Sequence, residues 1–558
     1  MFDRLRRPRQ KAAVRALGGL AALLLCGGAI APQPSSPELG ERLYREGQLA
    51  SGEALRGERE GATALLGRDA ACAQCHRRSG LGTVEGRIVI PPITGHFLFH
   101  PGERIAPESQ AARGGAMGVP PTPPPRSAYD EAKLARAIRD GIGADGHPLN
   151  YLMPRFKLDD ASMRELIAYL TQLSSANVPG VVGDALHFAT IVTPDADPVA
   201  RDGMQQVLEQ YFANKNAFYH GDNKAPPLQS ARRIHFRVQN RWQLHVWQLT
   251  GAPDAWEEQL DRYLRAEPVF AAISGLGGRT WEPVHRFCER RGVPCLFPNV
   301  DLPVVSPGDF YPVYFSEGVL LEAQLIATRL VQSKAPEAAS GRVAQVFRDD
   351  DVGATAAAAL REAAPRGRVF VDRALARGDG PQQLAQALGD VKQADTVVLW
   401  LRAPDLRALP APAGAASAVF MSGLMGGLEN APLPPAWRSL ARMTYPYELP
   451  DVRRVRLNYP FDWFKVRKIP VVAERVQVDT YIACGVLAET LASMYGEFVP
   501  DFLVERIEVM LSGRIINGYY SRLGLAPGQR FASKGGYLVR FVDPTGARVE
   551  ADGNWIVP

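Results

Sequence analysis

Apolar positions recur at helical spacing in the segment between residues 159 and 173. They lie three and four positions apart, which places them on one face of a helix. These residues are Met163, Leu166, Ile167, Leu170 and Leu173. Asp159 and Asp160 precede them, and acidic residues are favoured in a first helical turn. A shorter helix is predicted within residues 127–146, ending at Gly141, because glycine readily adopts the left-handed conformation that closes a helix.

A different pattern begins near residue 185. Residues 187–216 predict a strand, a loop and a helix, and residues 256–299 predict a helix, a strand, a glycine turn, a helix and a strand. Such alternation implies parallel sheets that are covered by helices. Between the two patterns, the segment ANVPGVVGD (176–184) predicts a linker, because it contains proline and glycine and has little periodicity.

The first 31 residues form a third pattern. A basic head, MFDRLRRPRQKAAVR, precedes the uncharged run Ala16–Ala31, an arrangement typical of a secretory signal. The run is shorter than the roughly 20 apolar residues of a membrane-spanning helix, although an uncleaved signal would still anchor the chain. We therefore expect a signal peptide at 1–31, domains at 36–178 and 185–558, and a periplasmic location.

The net charge belongs to this signal. The 558-residue chain carries a formal charge of +5, and residues 1–31 alone carry six basic side chains and one acidic side chain. The remainder is therefore formally neutral and offers no general electrostatic attraction for a polyanion. We expect no nucleic-acid partner.

The most informative motif is CAQCH, at residues 72–76. A structural zinc site needs four ligands, and the chain has no second CxxC. A thioredoxin-type pair would follow a strand in an α/β fold, whereas this motif follows a polar, helix-like segment. The adjacent His76 favours one c-type haem, with Cys72 and Cys75 bonded to its vinyl groups and His76 bound to its iron.

The other cysteines are less informative. Cys288 and Cys295 are close enough in sequence for a local disulfide in an oxidising compartment, and a pair of buried thiols is the alternative. Cys484 lies in an apolar, helix-like run and is predicted to be a packed core thiol.

A six-coordinate iron needs a second axial ligand, which is commonly methionine. Met153 is the first candidate, because Pro154 and the helix predicted from Asp159 follow it directly. His147 is the main alternative. Other side chains nearby in the sequence that could bind iron are His96, His100 and Met117.

With these elements in order, residues 36–178 resemble a class I cytochrome c, and in particular the modules in cytochrome subunits of periplasmic dehydrogenases. The matching segments are GERLYREG (40–47), CAQCH, PPITG (91–95), AIRDGIGADGHPL, LMPRF and the last helix. The resemblance implies an all-α domain whose first and last helices pack through a glycine and an aromatic residue. It also implies that a carbonyl of Pro91 or Pro92 accepts the second ring N–H of His76. An insert at residues 48–71 and a proline-rich stretch at 114–127 depart from the family pattern.

The second region resembles the type I periplasmic binding fold of branched-chain amino-acid receptors. The matching segments are residues 271–298, 310–330 and 476–492. The resemblance implies two α/β lobes, joined by three hinge crossings, that close on a small ligand. The turn GLGGRT (275–280) would then face the cleft, which makes Gly277, Arg279 and Thr280 candidate ligand-binding residues. Backbone N–H groups at the start of the following helix would hold a carboxylate. The usual turn of the family is rich in hydroxyl groups, and this one is not.

Together these features predict an exported monohaem electron carrier rather than an enzyme, since no nucleophile and base form a recognisable catalytic motif. The cytochrome resemblance implies a redox partner protein, with a periplasmic quinoprotein dehydrogenase as the preferred donor. The second domain would dock a partner or bind a small-molecule ligand. The alternative is a periplasmic solute-binding receptor whose haem is a redox sensor or a structural element.

Overall fold

A computed structural model describes residues 37–59, 61, 63–85, 88–102, 125–174, 178–217, 240–332, 341–389, 391, 395–412, 418–494, 497–513 and 518–558. The predicted signal peptide and Met117 lie outside the described residues, as does most of the proline-rich stretch. No helix among the described residues has the length and apolar character needed to cross a bilayer.

The helices of the first region are α1 (Pro37–Glu46), α2 (Ala73–His76), α3 (Gly95–Leu98), α4 (Glu131–Asp140) and α5 (Asp160–Gln172). The predicted ends of the last two are confirmed. The side chain of Asp159 accepts a hydrogen bond from the Ser162 backbone N–H at 2.7 Å, as an N-cap residue does. Gly141 closes α4 in the left-handed conformation, with φ at 70°.

Helices α1 and α5 cross at a glycine, as the family resemblance implies. Gly40 is buried against α5, and a Cβ atom there would lie 2.2 Å from the Glu165 carbonyl oxygen and 2.7 Å from the Tyr169 Cβ. The rings of Tyr44 and Tyr169 pack beside this crossing, with centroids 5.3 Å apart. The glycine therefore allows the two backbones to approach closely.

The expectation of an all-α first domain is not confirmed. Short strands occur at β1 (Arg56–Glu58), β2 (Leu65–Leu66), β3 (Thr83–Glu85), β4 (Ile88–Ile90) and β5 (Arg155–Phe156). The insert at residues 48–71 supplies β1 and β2, and β1 pairs with both β2 and β5 in antiparallel fashion. The inserted residues satisfy their backbone groups by forming this small sheet.

The next sheet forms the core of the first lobe of the second region. Its strands are β6 (Val181–Val182), β7 (Ala185–Val192), β8 (Arg241–Gln248), β9 (Ala271–Ile273), β10 (Cys295–Leu296) and β11 (Pro312–Val313). They lie in the order β11-β10-β9-β7-β8, with β6 antiparallel to β7 and the other pairs parallel. The predicted linker at 176–184 therefore contains a strand, because Val181 and Val182 extend this sheet.

In the described part of this lobe, three α-helices connect the strands. They are α6 (Pro198–Ala217), α7 (Trp256–Ala266) and α8 (Glu282–Arg291). Cys288 and Cys295 are buried and are not joined in a disulfide, so the structure has the pair of buried thiols. The strand and helix alternation expected for this part of the chain is confirmed.

The second lobe contains a sheet of seven strands among the described residues. They are β12 (Arg342–Arg348), β13 (Val369–Leu375), β14 (Thr396–Trp400), β15 (Ala418–Met421), β16 (Ala441–Tyr445), β17 (Tyr537–Phe541) and β18 (Val549–Ala551). The order is β13-β12-β14-β15-β16-β17-β18. The first four pairings are parallel and the last two are antiparallel.

The helices of this lobe are α9 (Val319–Gln332), α10 (Gly353–Ala363), α11 (Pro381–Gly389), α12 (Ala403–Arg407), α13 (Gly423–Gly426) and α14 (Pro435–Arg438). The chain then continues through α15 (Pro450–Arg456), α16 (Asn458–Arg467), α17 (Glu474–Ala492) and α18 (Pro500–Gly513). Helix α17 packs against α6 of the first lobe. Cys484 on α17 is fully buried, as predicted for a core thiol.

The chain passes between the lobes after β11, after β16 and before β17. The first and third crossings run side by side. The Tyr314 N–H donates to the Arg530 carbonyl at 2.8 Å, and the Ser533 N–H donates to the Phe315 carbonyl at 2.6 Å. These two segments, residues 314–316 and 530–533, are called the paired crossings below.

Candidate functional site

The short helix α2 presents the three chemically reactive side chains of CAQCH. Cys72 occupies its N-cap position, and Cys75 and His76 lie on its single turn. The two cysteines are not joined in a disulfide. His76 is buried, and its Nδ1 lies 2.9 Å from the Pro91 carbonyl oxygen. Because a carbonyl only accepts, Nδ1 carries the proton and Nε2 remains as the nitrogen that can bind a metal.

The environment of Cys72 distinguishes between the possible uses of a CxxC pair. Burial raises the pKa of the Cys72 thiol to about 12. A redox-active dithiol needs a lowered pKa at its attacking cysteine, so this environment does not suit thiol–disulfide exchange. The described residues contain no group of three or more His, Cys, Asp and Glu side chains placed to hold a metal ion. The donor set of two thiols and one imidazole suits a covalently attached haem.

The candidate axial ligands differ in their surroundings. Met153 is half-buried and packs against the same apolar cluster as Cys72 and Ala73. His147 is exposed, as are His96 and His100, and the His100 Nδ1 lies 2.9 Å from the His96 carbonyl oxygen. A haem is a flat and largely apolar macrocycle, so it needs a pocket with apolar walls. Among these candidate ligands, only Met153 packs against the apolar cluster that Cys72 also contacts.

The insert at residues 48–71 supports the loop that carries Met153. Strand β1 pairs directly with β5, which starts two residues after Met153, and Gly57 lies opposite Phe156. A Cβ atom at Gly57 would lie 3.0 Å from the side chains of Pro154 and Phe156. The insert, which departs from the family pattern, therefore fixes the backbone next to Met153.

The turn predicted to bind a ligand already has partners within the protein. The N–H groups of Gly277 and Gly278 donate to the Asn299 carbonyl at 3.2 Å and to the Thr193 Oγ1 at 3.0 Å. The Arg279 N–H donates to the Asp195 carboxylate at 2.9 Å. The Thr280 Oγ1 accepts the Glu282 N–H at 3.3 Å. A carboxylate of the chain itself, Asp195, thus occupies the place expected for a ligand anion.

Sequence reasoning missed Asp195, although it follows β7 closely. The carboxyl ends of neighbouring parallel strands meet at one edge of a sheet, and this rule would have placed Asp195 beside the turn after β9.

The second lobe has a similar arrangement, in which a carboxylate that is distant in the sequence accepts the backbone N–H groups of a turn. The buried carboxylate of Glu322 on α9 accepts the N–H groups of Gly423 and Leu424, each at 2.9 Å. Burial raises the pKa of Glu322 to about 7.

Arginine–aspartate pairs connect the lobes across the cleft. Arg279 of the first lobe approaches the Asp350 carboxylate of the second at 3.5 Å. Arg402 of the second lobe contacts Asp351 of its own lobe and reaches Asp301 of the first at 3.1 Å. Ion pairs between the protein's own side chains therefore span the cleft.

A small cavity of about 10 Å³ lies at the hinge end of the cleft, between Asn299, Tyr447, Asp479 and Tyr520. This volume is at the lower limit for one water molecule. Asn299 and Asp479 are both buried, and the Oδ1 atom of each has no hydrogen-bond partner among the described residues. Burial raises the pKa of Asp479 to about 7. Two residues that line the cavity therefore each carry a buried oxygen without a partner among the described residues.

The first region docks on α18 through the residues that follow His76. Arg77 forms an ion pair with Glu508, and the Arg78 Nε lies 2.8 Å from the Asp501 carboxylate. The Ser79 N–H and hydroxyl donate to Glu505 at 2.9 and 2.6 Å. The partners of these loop residues, Asp501, Glu505 and Glu508, are spaced so that they lie on one face of α18. A buried ionic interface thus lies beside CAQCH.

The first region matches a known protein family. The family model for cytochrome c matches residues 62–174. No curated protein matches the chain. Solved structures similar to it include a leucine-binding protein from Thermotoga maritima MSB8, which is 13% identical with a TM-score of 0.48 and covers 67% of this chain and 99% of its own.

Two further solved structures have the same degree of similarity. A branched-chain amino acid ABC transporter protein from Thermus thermophilus with bound valine is 11% identical, with a TM-score of 0.49, and covers 68% of this chain and 98% of its own. A fatty acid ABC transporter substrate-binding protein from Thermomonospora curvata is 12% identical, with a TM-score of 0.49, and covers 69% of this chain and 95% of its own. The match of the cytochrome c model to residues 62–174 confirms the resemblance predicted for the first region.

Proposed function

We propose that this protein is an exported monohaem c-type cytochrome that transfers single electrons and is not itself an enzyme. The observation that carries the proposal is the arrangement at α2. Two cysteines that are not in a disulfide and a buried histidine lie on one turn, and the Pro91 carbonyl fixes the tautomer of that histidine. A haem bound there would supply a one-electron iron couple.

In this proposal Cys72 and Cys75 hold the group covalently, while His76 and Met153 are the two axial ligands. Tyr44 supports the turn, since its hydroxyl donates to the Arg77 carbonyl at 2.7 Å. The half-buried position of Met153 against the apolar cluster of Cys72 favours it over the exposed His147.

The first experiment is a pyridine haemochrome assay on the full chain, exported together with a cytochrome c maturation system. We expect one covalent haem per chain and a low-spin spectrum. Met153→Ala should change that spectrum, whereas the matched variant His147→Ala should leave it unchanged. The absence of covalent haem would refute the carrier function, and an effect of His147→Ala alone would reassign the sixth ligand.

We further propose a periplasmic quinoprotein dehydrogenase as the electron donor, which the resemblance of the module to dehydrogenase cytochrome subunits supports. Stopped-flow mixing of the oxidised protein with reduced candidate dehydrogenases measures this transfer directly. Failure of every candidate to reduce the haem would remove this class of donor and leave the carrier function standing.

A second candidate function is a periplasmic receptor for a small solute. The unpartnered oxygens of Asn299 and Asp479 at the hinge cavity support it, and they suit a ligand with a hydrogen-bond donor such as an ammonium group. Since the cavity holds no more than one water, the lobes would have to open before such a ligand could enter. Calorimetry with isoleucine tests this directly, with Asp479→Asn as the variant. Binding that leaves the haem potential unchanged would favour a receptor with an uncoupled haem, whereas a shifted potential would indicate coupling.

A further inference from the structure

Glu505 is a buried carboxylate of the ionic interface beside CAQCH. Its side chain accepts hydrogen bonds from the Ser79 N–H at 2.9 Å and from the Ser79 hydroxyl at 2.6 Å, and the residue is only 3% exposed. Ser79 follows His76, the proposed iron ligand, by three residues. Because a hydroxyl can both donate and accept, Ser79 can bond to Glu505 whether or not the carboxyl group carries a proton.

The other two acids on this face of α18 have cationic partners. The Asp501 carboxylate lies 2.8 Å from the Arg78 Nε. Glu508 pairs with Arg530 of the paired crossings. Among the described residues, the hydrogen-bond partners of Glu505 are instead the two uncharged groups of the serine. Burial of a charge is costly unless a partner compensates it, so Glu505 is the acid of this interface that takes up a proton most readily.

The groups around Glu505 act on its proton affinity in opposite directions. Burial raises the pKa of Glu505 to about 7, although the charge of Arg77 and the hydrogen bonds from Ser79 favour the carboxylate. The carboxylate of Asp501, one turn earlier on α18, also raises this pKa. Glu508 is the next acid along the same helix, and its charge is compensated by its ion pairs. Glu505 therefore changes its protonation state near neutral pH.

Two observations place this carboxylate within electrostatic range of the haem turn. Ser79 is three residues from His76, and three residues of fully extended chain span at most about 11 Å. Tyr44 on α1 is buried and interacts electrostatically with both Cys72 and Glu505, so the attachment site and the carboxylate both lie near this one side chain. Charges at such separations interact more strongly inside a protein than in water, because the effective dielectric constant is lower.

We propose that Glu505 binds a proton when the haem is reduced and releases it when the haem is oxidised. This inference rests on the proposed electron-carrier function. Oxidised iron carries one more positive charge than reduced iron, and a nearby positive charge favours the carboxylate over the carboxylic acid. Reduction then takes one electron from the redox partner and up to one proton from the solvent. By linkage, the reduction potential becomes more negative as the pH rises through the range around neutrality.

The test measures the midpoint potential of the full-length holoprotein by spectroelectrochemistry, in steps across the pH range on both sides of 7. We expect the potential of the wild type to fall as the pH rises. Glu505→Gln resembles the protonated acid at every pH, so its potential should stay near the low-pH value of the wild type and lose most of the pH dependence.

Glu322→Gln is the matched control. It also neutralises a buried carboxylate whose pKa burial raises to about 7, but this carboxylate lies in the second lobe. It should leave the pH dependence of the potential as it is in the wild type. An equal pH dependence in the wild type and in Glu505→Gln, or no pH dependence in the wild type, would overturn the proposal.

Should Glu505→Gln fail to fold, Ser79→Ala replaces it, because this variant removes the hydroxyl that stabilises the carboxylate and keeps the backbone N–H. The pKa of Glu505 then rises, so we expect the fall in potential to move to higher pH, and an unchanged position would overturn the proposal. A protein without covalent haem would refute the electron-carrier function and the proton coupling together. A normal haem whose potential is independent of Glu505 would refute only the proton coupling.

Discussion

The haem turn and the inter-lobe cleft organise their polar groups in opposite ways. The turn is local, since Cys72, Cys75 and His76 lie within five residues and only Pro91 is needed to orient the histidine. The cleft brings together side chains that are far apart in the sequence, and these pair with one another across it. The haem turn thus offers its donor atoms to an external group, while most of the charged side chains of the cleft pair with one another.

The difference shows what a charged residue in a cleft means. Arginine and aspartate at the carboxyl ends of parallel strands suggest a ligand site, yet here Asp195 and Arg279 bind each other. A cleft that carries its own counter-charges can hold its lobes together without a ligand. The following predictions test this contrast, from the largest expected effect to the smallest.

Loss of the cysteine pair should have the largest effect. Cys72→Ala combined with Cys75→Ala removes both sites of covalent attachment, so we expect complete loss of the covalent haem in a pyridine haemochrome assay. Cys484→Ala, which removes a buried thiol of the second region, should retain the full haem content. Covalent haem in the double variant would show that the turn is not the attachment site.

The buried carboxylates of the second region predict a pH dependence of stability. The folded-state pKa of Glu322, about 7, lies above the unfolded value of roughly 4.3, so the folded state binds the proton more tightly. The stabilisation is fully present below that unfolded value and is lost as the pH rises through 7. A difference of this size is worth about 4 kcal/mol. Glu322→Gln should therefore flatten the decline in the free energy of unfolding between pH 4.5 and pH 7.5.

Urea unfolding followed by tryptophan fluorescence suits this measurement, because all eight tryptophans lie between residues 242 and 555. Glu282→Gln, which changes an exposed carboxylate, is the control and should keep the wild-type dependence. Parallel curves for the wild type and Glu322→Gln would contradict the assignment.

The helix crossing in the first region predicts a smaller effect. A methyl group at Gly40 would overlap the Glu165 carbonyl of α5, so Gly40→Ala must move the helices apart. Overpacking of this kind costs about 1–3 kcal/mol, which thermal unfolding monitored by the haem absorbance would detect. Gly143→Ala is the control, since its Cβ would meet neighbouring atoms at an ordinary 3.4 Å. Equal melting temperatures for both variants would argue against a close crossing.

Much of the fold was predictable because its determinants are local. Asp159 caps a helix and Gly141 ends one, and each does so through neighbours in the sequence. The alternation of strands and helices gives the parallel sheets for the same reason. The strands of the insert at residues 48–71 were not predictable, because β1 is defined by its pairing with β5, about one hundred residues later.

The candidate sites divide in the same way. CAQCH identifies its chemistry within five residues, whereas Glu505 and Glu508 acquire their roles from Ser79 and Arg77, more than 400 residues earlier. One signal was present, since three acidic residues recur at helical spacing on α18 among buried apolar residues. A row of acids on a buried helix face indicates a cationic partner, but the sequence cannot say where that partner is.

The smallest effect concerns Arg279. Its guanidinium is half-exposed and contacts Asp195 and Asp350 only at 3.5 Å, and exposed ion pairs contribute about 0–1 kcal/mol. We therefore expect Arg279→Ala to change the free energy of unfolding by less than about 1 kcal/mol.

We also expect isoleucine to give no calorimetric signal with the wild type or with Arg279→Ala, because the turn already holds the carboxylate of Asp195. Arg402→Ala should have a larger effect on lobe closure, since Arg402 contacts Asp301 at 3.1 Å and also binds Asp351. Isoleucine binding that Arg279→Ala abolishes would instead show that the turn exchanges Asp195 for a ligand, and the contrast between an open haem turn and a self-satisfied cleft would then be lost.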